Sequence, residues 1–146
     1  MTMMKTSARN QFAGRISQVD ACPVTTEVVL TLGGGQQITA TLTSHSAKSL
    51  NLAVGAEAVA LIKASAIVLV TDFGGYRLSA RNQLAGTIAK VDKGAVTTVV
   101  ALALAGGETV TATITNDAAD ALGLAVGRPA TAVFKAYSVL LAVKAS

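Results

Sequence analysis

The sequence has no tryptophan, and its aromatic residues amount to 3% of 146 positions. Proteins that hold single-stranded nucleic acid stack bases on aromatic side chains inside a clustered basic groove. Here the 12 lysines and arginines are spread along the chain and form no tract, so no nucleic-acid partner is expected. There is one cysteine, Cys22. It excludes a disulfide within the chain and is compatible with a reducing compartment. There is one histidine, His45, with no HExxH pattern, no cysteine cluster and no paired carboxylates. A site for a transition-metal cation therefore lacks ligands. The glycine-rich phosphate loop ending in Gly-Lys-Ser/Thr is also missing. The longest apolar stretch, Ala58 to Val70, is broken by Lys63. It falls short of the roughly 20 apolar residues that span a bilayer. Met1 to Lys5 lacks the apolar centre of a signal peptide. A cytoplasmic protein with no membrane association is expected.

What is present is small, apolar and β-branched. The hydrophobic fraction is 51%, drawn mainly from Ala, Val, Leu and Ile, and mixed with many threonines. Val, Ile and Thr are stiff at χ1 and fit a pleated surface, so the composition leans toward β structure. The formal charge of +4 is mild. It suits small anions as well as any larger acidic partner.

The sequence is a duplication. Ser7-Ala8-Arg9-Asn10-Gln11 recurs 72 positions later as Ser79-Ala80-Arg81-Asn82-Gln83, and the offset then holds without a gap. Val24-Thr25-Thr26 matches Val96-Thr97-Thr98, and Thr39-Ala40-Thr41 matches Thr111-Ala112-Thr113. Leu52-Ala53-Val54-Gly55 matches Leu124-Ala125-Val126-Gly127, and Lys63-Ala64 matches Lys135-Ala136. Such self-similarity marks two copies of one structural unit. The expected units are residues 5–72 and 77–146, with Gly74-Gly75 as the joint. Units this small bury a low fraction of their surface and are often stabilised by association, so an oligomer is expected.

Within one unit, Phe12 to Val19 reads as a strand, with Gly14 at a bulge or a close contact. Thr25 to Leu32 is a second strand, and Gly33-Gly34-Gly35 a hairpin turn. In Gln36 to Thr43, Ile38, Ala40 and Leu42 share one face and Thr39, Thr41 and Thr43 the other. Ser44 to Leu50 reads as a short helix, with Ser44 as its N-cap and Asn116-Asp117 at the corresponding place. Glu57 to Ala64 and Ile67 to Val70 complete the unit. This predicts an all-β chain of two tandem OB-like β-barrels, each with one short helix.

Catalysis is not expected. His45 lies between Ser44 and Ser46, but a triad is defined by geometry, not adjacency, and a surface histidine beside a helix cap accounts for it. Anion binding has more support. Lys63 is expected on a strand face with Val59 and Leu61, and Lys135 repeats it. A lysine snorkelling to the surface, or pairing with Glu57, explains the same position. Arg9 and Arg81 read either as surface arginines at a strand entry or as guanidinium forks for an oxyanion. Thr43 and Ser46 begin the helix, where unpaired N–H groups favour negative charge. Ser7/Arg9, Thr43/Ser46 and Lys63/Ser65 are thus three elements able to converge on one dianion.

The Ser-Ala-Arg-Asn-Gln segments with the following Gly14, and Lys63-Ala64-Ser65 before an apolar strand, resemble the molybdate-binding Mop domain of the molbindin family. The tandem arrangement resembles that family's two-domain members. The resemblance implies OB-like barrels assembled into a homotrimer, with molybdate held at interfaces between domains and subunits. Carried over by position, it implicates Ser7, Arg9, Thr43, Ser46, Lys63 and Ser65, and in the second copy Ser79, Arg81, Thr115 and Lys135. Ala118 stands where the first copy has Ser46, and Tyr137 where it has Ser65. Molybdate accepts hydrogen bonds and offers none, and the motif segments contain no Asp or Glu, which disfavours protonated phosphate. Tungstate is expected to bind as well. The expected role is molybdenum storage or homeostasis, without a cofactor and without catalysis. The alternative is a molybdate-responsive regulatory module; with only six residues before Ser7, it would act through a protein partner.

Overall fold

Alternation of apolar and polar residues places one face of each strand inside. The computed structural model describes residues 4–145, so Met1–Met3 of the N-terminal stretch and Ser146 lie outside the description. The first repeat forms β1 (Asn10–Ala21), β2 (Thr25–Leu32), β3 (Gln37–Thr43), α1 (Ser44–Ser49), β4 (Glu57–Ile62), a 3-10 turn (Ala64–Ala66) and β5 (Val68–Val70). The second forms β6 (Asn82–Lys93), β7 (Thr97–Leu104), β8 (Thr109–Thr115), α2 (Asn116–Leu122), β9 (Pro129–Phe134), a second 3-10 turn (Ala136–Ser138) and β10 (Leu140–Ala142). In β2, Thr26, Val28, Leu30 and Leu32 are buried, and in β3 Ile38 and Ala40 are. Leu42 packs against the same core, so the face expected from the period of two is the face observed.

The strands build two five-stranded antiparallel sheets, the half-barrels of an OB-like all-β fold. The long first strand of each repeat serves two partners. Asn10 to Arg15 pair with β4, while Gly14 to Ala21 pair with β2. A register shift between Ile16 and Gln18 bends the strand between these tasks, and β6 repeats it between Ile88 and Lys90. Gly14 lies just before this bulge, at a close contact. A Cβ there would collide with the Thr31 carbonyl, and at Gly86 with that of Ala103.

The sheets do not follow the repeats at their last strand. The first sheet runs β10-β4-β1-β2-β3 and the second β5-β9-β6-β7-β8. Leu140, Leu141 and Ala142 thus pair with Leu61, Ala60 and Val59 of the first repeat. Val68, Leu69 and Val70 pair with Val133, Ala132 and Thr131 of the second. Each repeat gives its fifth strand to the other's sheet. The apolar core is correspondingly continuous, joining Phe12, Ile62 and Ile67 to Leu84, Phe134 and Val139. Leu84 replaces Phe12 in the second copy while Phe134 replaces Ile62, so each copy contributes one aromatic and one aliphatic side chain at this pair of positions. Such compensation keeps the packed volume near constant.

Two local expectations differ from what is observed. β4 ends at Ile62, and Lys63 is the N-cap of the 3-10 turn with an exposed side chain. It does not share a strand face with Val59 and Leu61, because the chain turns before reaching it. The N-cap of α1 is Thr43, whose hydroxyl accepts from the Ser46 N–H, and Thr115 caps α2 in the same way. Ser44 is the first helical residue, and its buried hydroxyl joins Thr26 at 2.8 Å.

Candidate oxyanion-binding site

The site begins with an asparagine. Asn10 and Asn82, inside the repeated Ser-Ala-Arg-Asn-Gln motif, are each 2% exposed. An unpaired amide at that depth is costly, so each needs partners. The Asn82 side chain finds them across the repeats. Its Oδ1 accepts from the Thr39 N–H at 2.8 Å, and its Nδ2 donates to the Thr39 carbonyl at 2.8 Å. Asn10 does the same to Thr111, accepting from its N–H at 2.7 Å and donating to its carbonyl at 2.8 Å. A second donation from Asn10 reaches the Ile62 carbonyl at 3.2 Å. β3 and β8 are the edge strands of their sheets, so each asparagine satisfies both backbone groups of one edge residue, as a neighbouring strand would.

This clamp fixes what its neighbours face. Ser79, Ala80 and Arg81 are held against the first repeat, and the second 3-10 turn packs on β3, bringing Lys135 and Tyr137 to the same place. Between them lies a cavity of about 540 Å³. Its far wall is the outer face of the first sheet, where Thr25, Glu27 and Thr41 alternate with the buried core positions. Asp20 and Cys22 complete the wall. The first 3-10 turn packs on β8 in the reciprocal way, carrying Lys63 and Ser65 toward the second sheet. Two of the three expected elements thus lie together across repeats: the motif and the lysine turn of one repeat meet the β2–β3 or β7–β8 face of the other.

Charge on this surface is unevenly paired. Arg81 donates to both Glu27 oxygens, at 2.6 and 2.7 Å. This two-pronged geometry is the strong form of a guanidinium–carboxylate pair. Among the described residues no ion pair involves Arg9, Lys63 or Lys135. All four cations are exposed, as are Ser7, Ser65 and Ser79. Asp20 accepts from the Gln18 amide at 2.9 Å. The fold therefore adds two carboxylates to a cavity whose motif segments contain none.

Thr43 and Ser46 stand apart from this cavity. Thr43 pairs in register with Thr25, but its hydroxyl donates to the Ser46 Oγ at 2.9 Å and accepts from the Ser46 N–H at 3.1 Å. Thr115 likewise accepts from the Ala118 N–H at 3.1 Å. The Thr43 hydroxyl and the Ser46 and Ala118 N–H groups are thus engaged in capping. His45 is exposed on α1. Among the described residues no group of three or more His, Cys, Asp and Glu could hold a metal ion. Reading the sequence missed Asn10 and Asn82 as the clamp, and Thr25, Glu27 and Thr41 as the opposite wall. The repetition of the asparagine, and of Thr39-Ala40-Thr41 in Thr111-Ala112-Thr113, was the available signal.

The model of the TOBE domain matches the chain twice, over residues 6–69 and 78–141. The molybdenum transport protein ModE of Herbaspirillum seropedicae is 60% identical over 141 residues, covering 97% of this chain and 52% of that protein. The molybdenum-pterin-binding protein MopA of Rhodobacter capsulatus is 44% identical over 140 residues, covering 96% of this chain and 53% of that protein. The chain spans about half the length of these relatives. Among solved structures, the cytoplasmic molybdate-binding protein ModG with molybdate bound aligns with a TM-score of 0.94 at 48% identity, covering 97% of this chain and all of that one (100%). The resemblance read from the repeated motifs is the resemblance found, and the chain belongs to the TOBE-domain family as a tandem pair of Mop-type repeats.

Proposed function

We propose that the protein binds molybdate reversibly, as a store or buffer of molybdenum in the cytoplasm. The observation that carries this reading is the convergence of Ser79, Arg81 and Lys135 on one cavity against the threonine face of the other repeat. A tetrahedral dianion needs hydroxyl and amide donors with positive charge beside them, and this surface supplies both. The repeat-related set, Ser7, Arg9, Lys63 and Ser65 against Thr97 and Thr113, is the second site. The likeness to ModG, with molybdate bound, supports the choice of ion. Tungstate, of nearly the same size and shape, binds by the same contacts. Nothing in the binding step makes or breaks a covalent bond, so the role is carriage, not catalysis.

The sites are completed in a homo-oligomer, a trimer by the resemblance to the two-domain molbindins. Exposed apolar residues recur at the same place in both repeats: Val24 and Val96, Val54 and Val126, Val68 and Leu140. A small domain that exposes such positions twice gains by covering them. Thr43 and Ser46 on one protomer then belong to sites closed by a neighbour, where the Ser46 hydroxyl, which accepts from Thr43, keeps its own O–H to donate and N–H groups beyond the cap face outward.

Titration calorimetry with molybdate, in buffer containing excess sulfate, tests the reading, with mass measured by light scattering. Micromolar or tighter binding of several ions to an oligomer is expected, and the bound form should unfold at higher temperature. Absence of binding by both calorimetry and equilibrium dialysis would overturn it.

A further inference from the structure

Among the residues by which the two repeat-related sites differ, Glu27 is the one bonded to a site cation. Glu27 grips the Arg81 guanidinium with both oxygens, the way a bound oxyanion would. Glu27 is the more enclosed partner, its side chain 24% exposed against 58% for Arg81. Its backbone is fixed mid-sheet, paired to Asp20 on one side and Thr41 on the other. The carboxylate is therefore a built-in feature of the wall, and the arginine is the partner free to move. At the corresponding position the second repeat has Val99. Among the described residues no carboxylate lies within ion-pair distance of Arg9. Asp92, the counterpart of Asp20, is itself paired with Lys90 at 3.7 Å.

Building on the oxyanion reading above, we propose that Glu27 makes the two sites unequal: it holds the Arg81 fork as an internal anion, so the Arg81 site fills only at higher molybdate concentration than the Arg9 site. An incoming dianion at Arg81 must displace a carboxylate from the guanidinium and then lie beside it, with like charges opposed. At Arg9 it meets an open fork and an apolar side chain. The protein thereby holds ions in two classes, one retained at low supply and one loaded and released as supply varies. Tyr137 lines only the weaker site, where its phenol stands in place of the Ser65 hydroxyl.

Equilibrium dialysis with molybdate, counting bound molybdenum per chain, separates the classes in the wild type, Glu27→Val, Glu27→Gln and Val99→Glu. The wild type should show two classes differing by about tenfold or more. Glu27→Val, which copies the other repeat, should tighten the weak class by about tenfold and merge the two. Glu27→Gln keeps the shape without the charge and should move the same way, which guards against a packing artefact in the valine variant. Val99→Glu should weaken the tight class instead. If the wild type binds in one class and Glu27→Gln leaves it unchanged, or if Glu27→Gln weakens binding, Glu27 is no such gate, although the oxyanion reading survives. If none of the four proteins binds molybdate, both fall together.

Discussion

A chain ended after Ser138 is expected to lose the first sheet while keeping every residue of the first repeat. The deletion removes β10, which pairs with Val59 to Leu61. It also removes Val139, which is 4% exposed in the shared core, and the partly buried Leu141 and Val143. One buried valine, two half-buried aliphatic side chains and a few ladder hydrogen bonds amount to about 4–6 kcal/mol. That is a large part of the stability of a small protein. Hydrogen exchange in urea too dilute to unfold the intact chain is the suitable readout. Protection should collapse first at Val59 to Leu61, about 80 positions from the cut in sequence and next to it in space. If protection were lost instead in β9, leaving β4 intact, the strands would not be exchanged.

Replacing Asn10 and Asn82 together by alanine should cost about 4 kcal/mol or more. Each change strips both backbone groups of an edge residue, Thr111 or Thr39, of their partners. An unmade buried hydrogen bond costs about 1–3 kcal/mol. Asn10 should be the more costly of the two, because its amide also holds the Ile62 carbonyl. Asn82→Asp separates geometry from chemistry. The aspartate keeps the acceptor for the Thr39 N–H but sets a second acceptor against the Thr39 carbonyl, so it should be no better than alanine. Urea midpoints at constant slope measure all four variants. Because the clamp seats Arg81 against the first sheet, a folded Asn82→Ala protein should also bind molybdate more weakly.

The residues explain which parts of this architecture were legible beforehand. β2 and β3 alternate strictly, so their bounds and faces follow from period alone, as Ile38, Ala40 and Leu42 illustrate. The duplication was open to view because the offset has no gap. The exchange of fifth strands was not. Val68-Leu69-Val70 and Leu140-Leu141-Ala142 are short apolar segments in equivalent places, and a period of two says which face is buried without saying which sheet receives it. β4 was drawn too long because Lys63-Ala64 continues an extended apolar run, whereas the 3-10 turn is set by packing on β8. The helix cap was misplaced by one residue because Thr43 and Ser44 are both good capping types. On the cavity, Arg81 and Lys135 are singled out by the repetition of their motifs. Glu27 was not, since a carboxylate distant in sequence from the motif has no local signal, and the second repeat replaces it with Val99.

Each proposed oxyanion site is composite, built by the motif and lysine of one repeat on the sheet face of the other. Crystals grown with molybdate and measured at the molybdenum absorption edge locate the ion without interpretation of its shape. The predicted result is anomalous peaks beside Ser79, Arg81 and Lys135, and beside Ser7, Arg9 and Lys63. Peaks confined to places remote from both arginines, or no peaks at saturating molybdate, would contradict it.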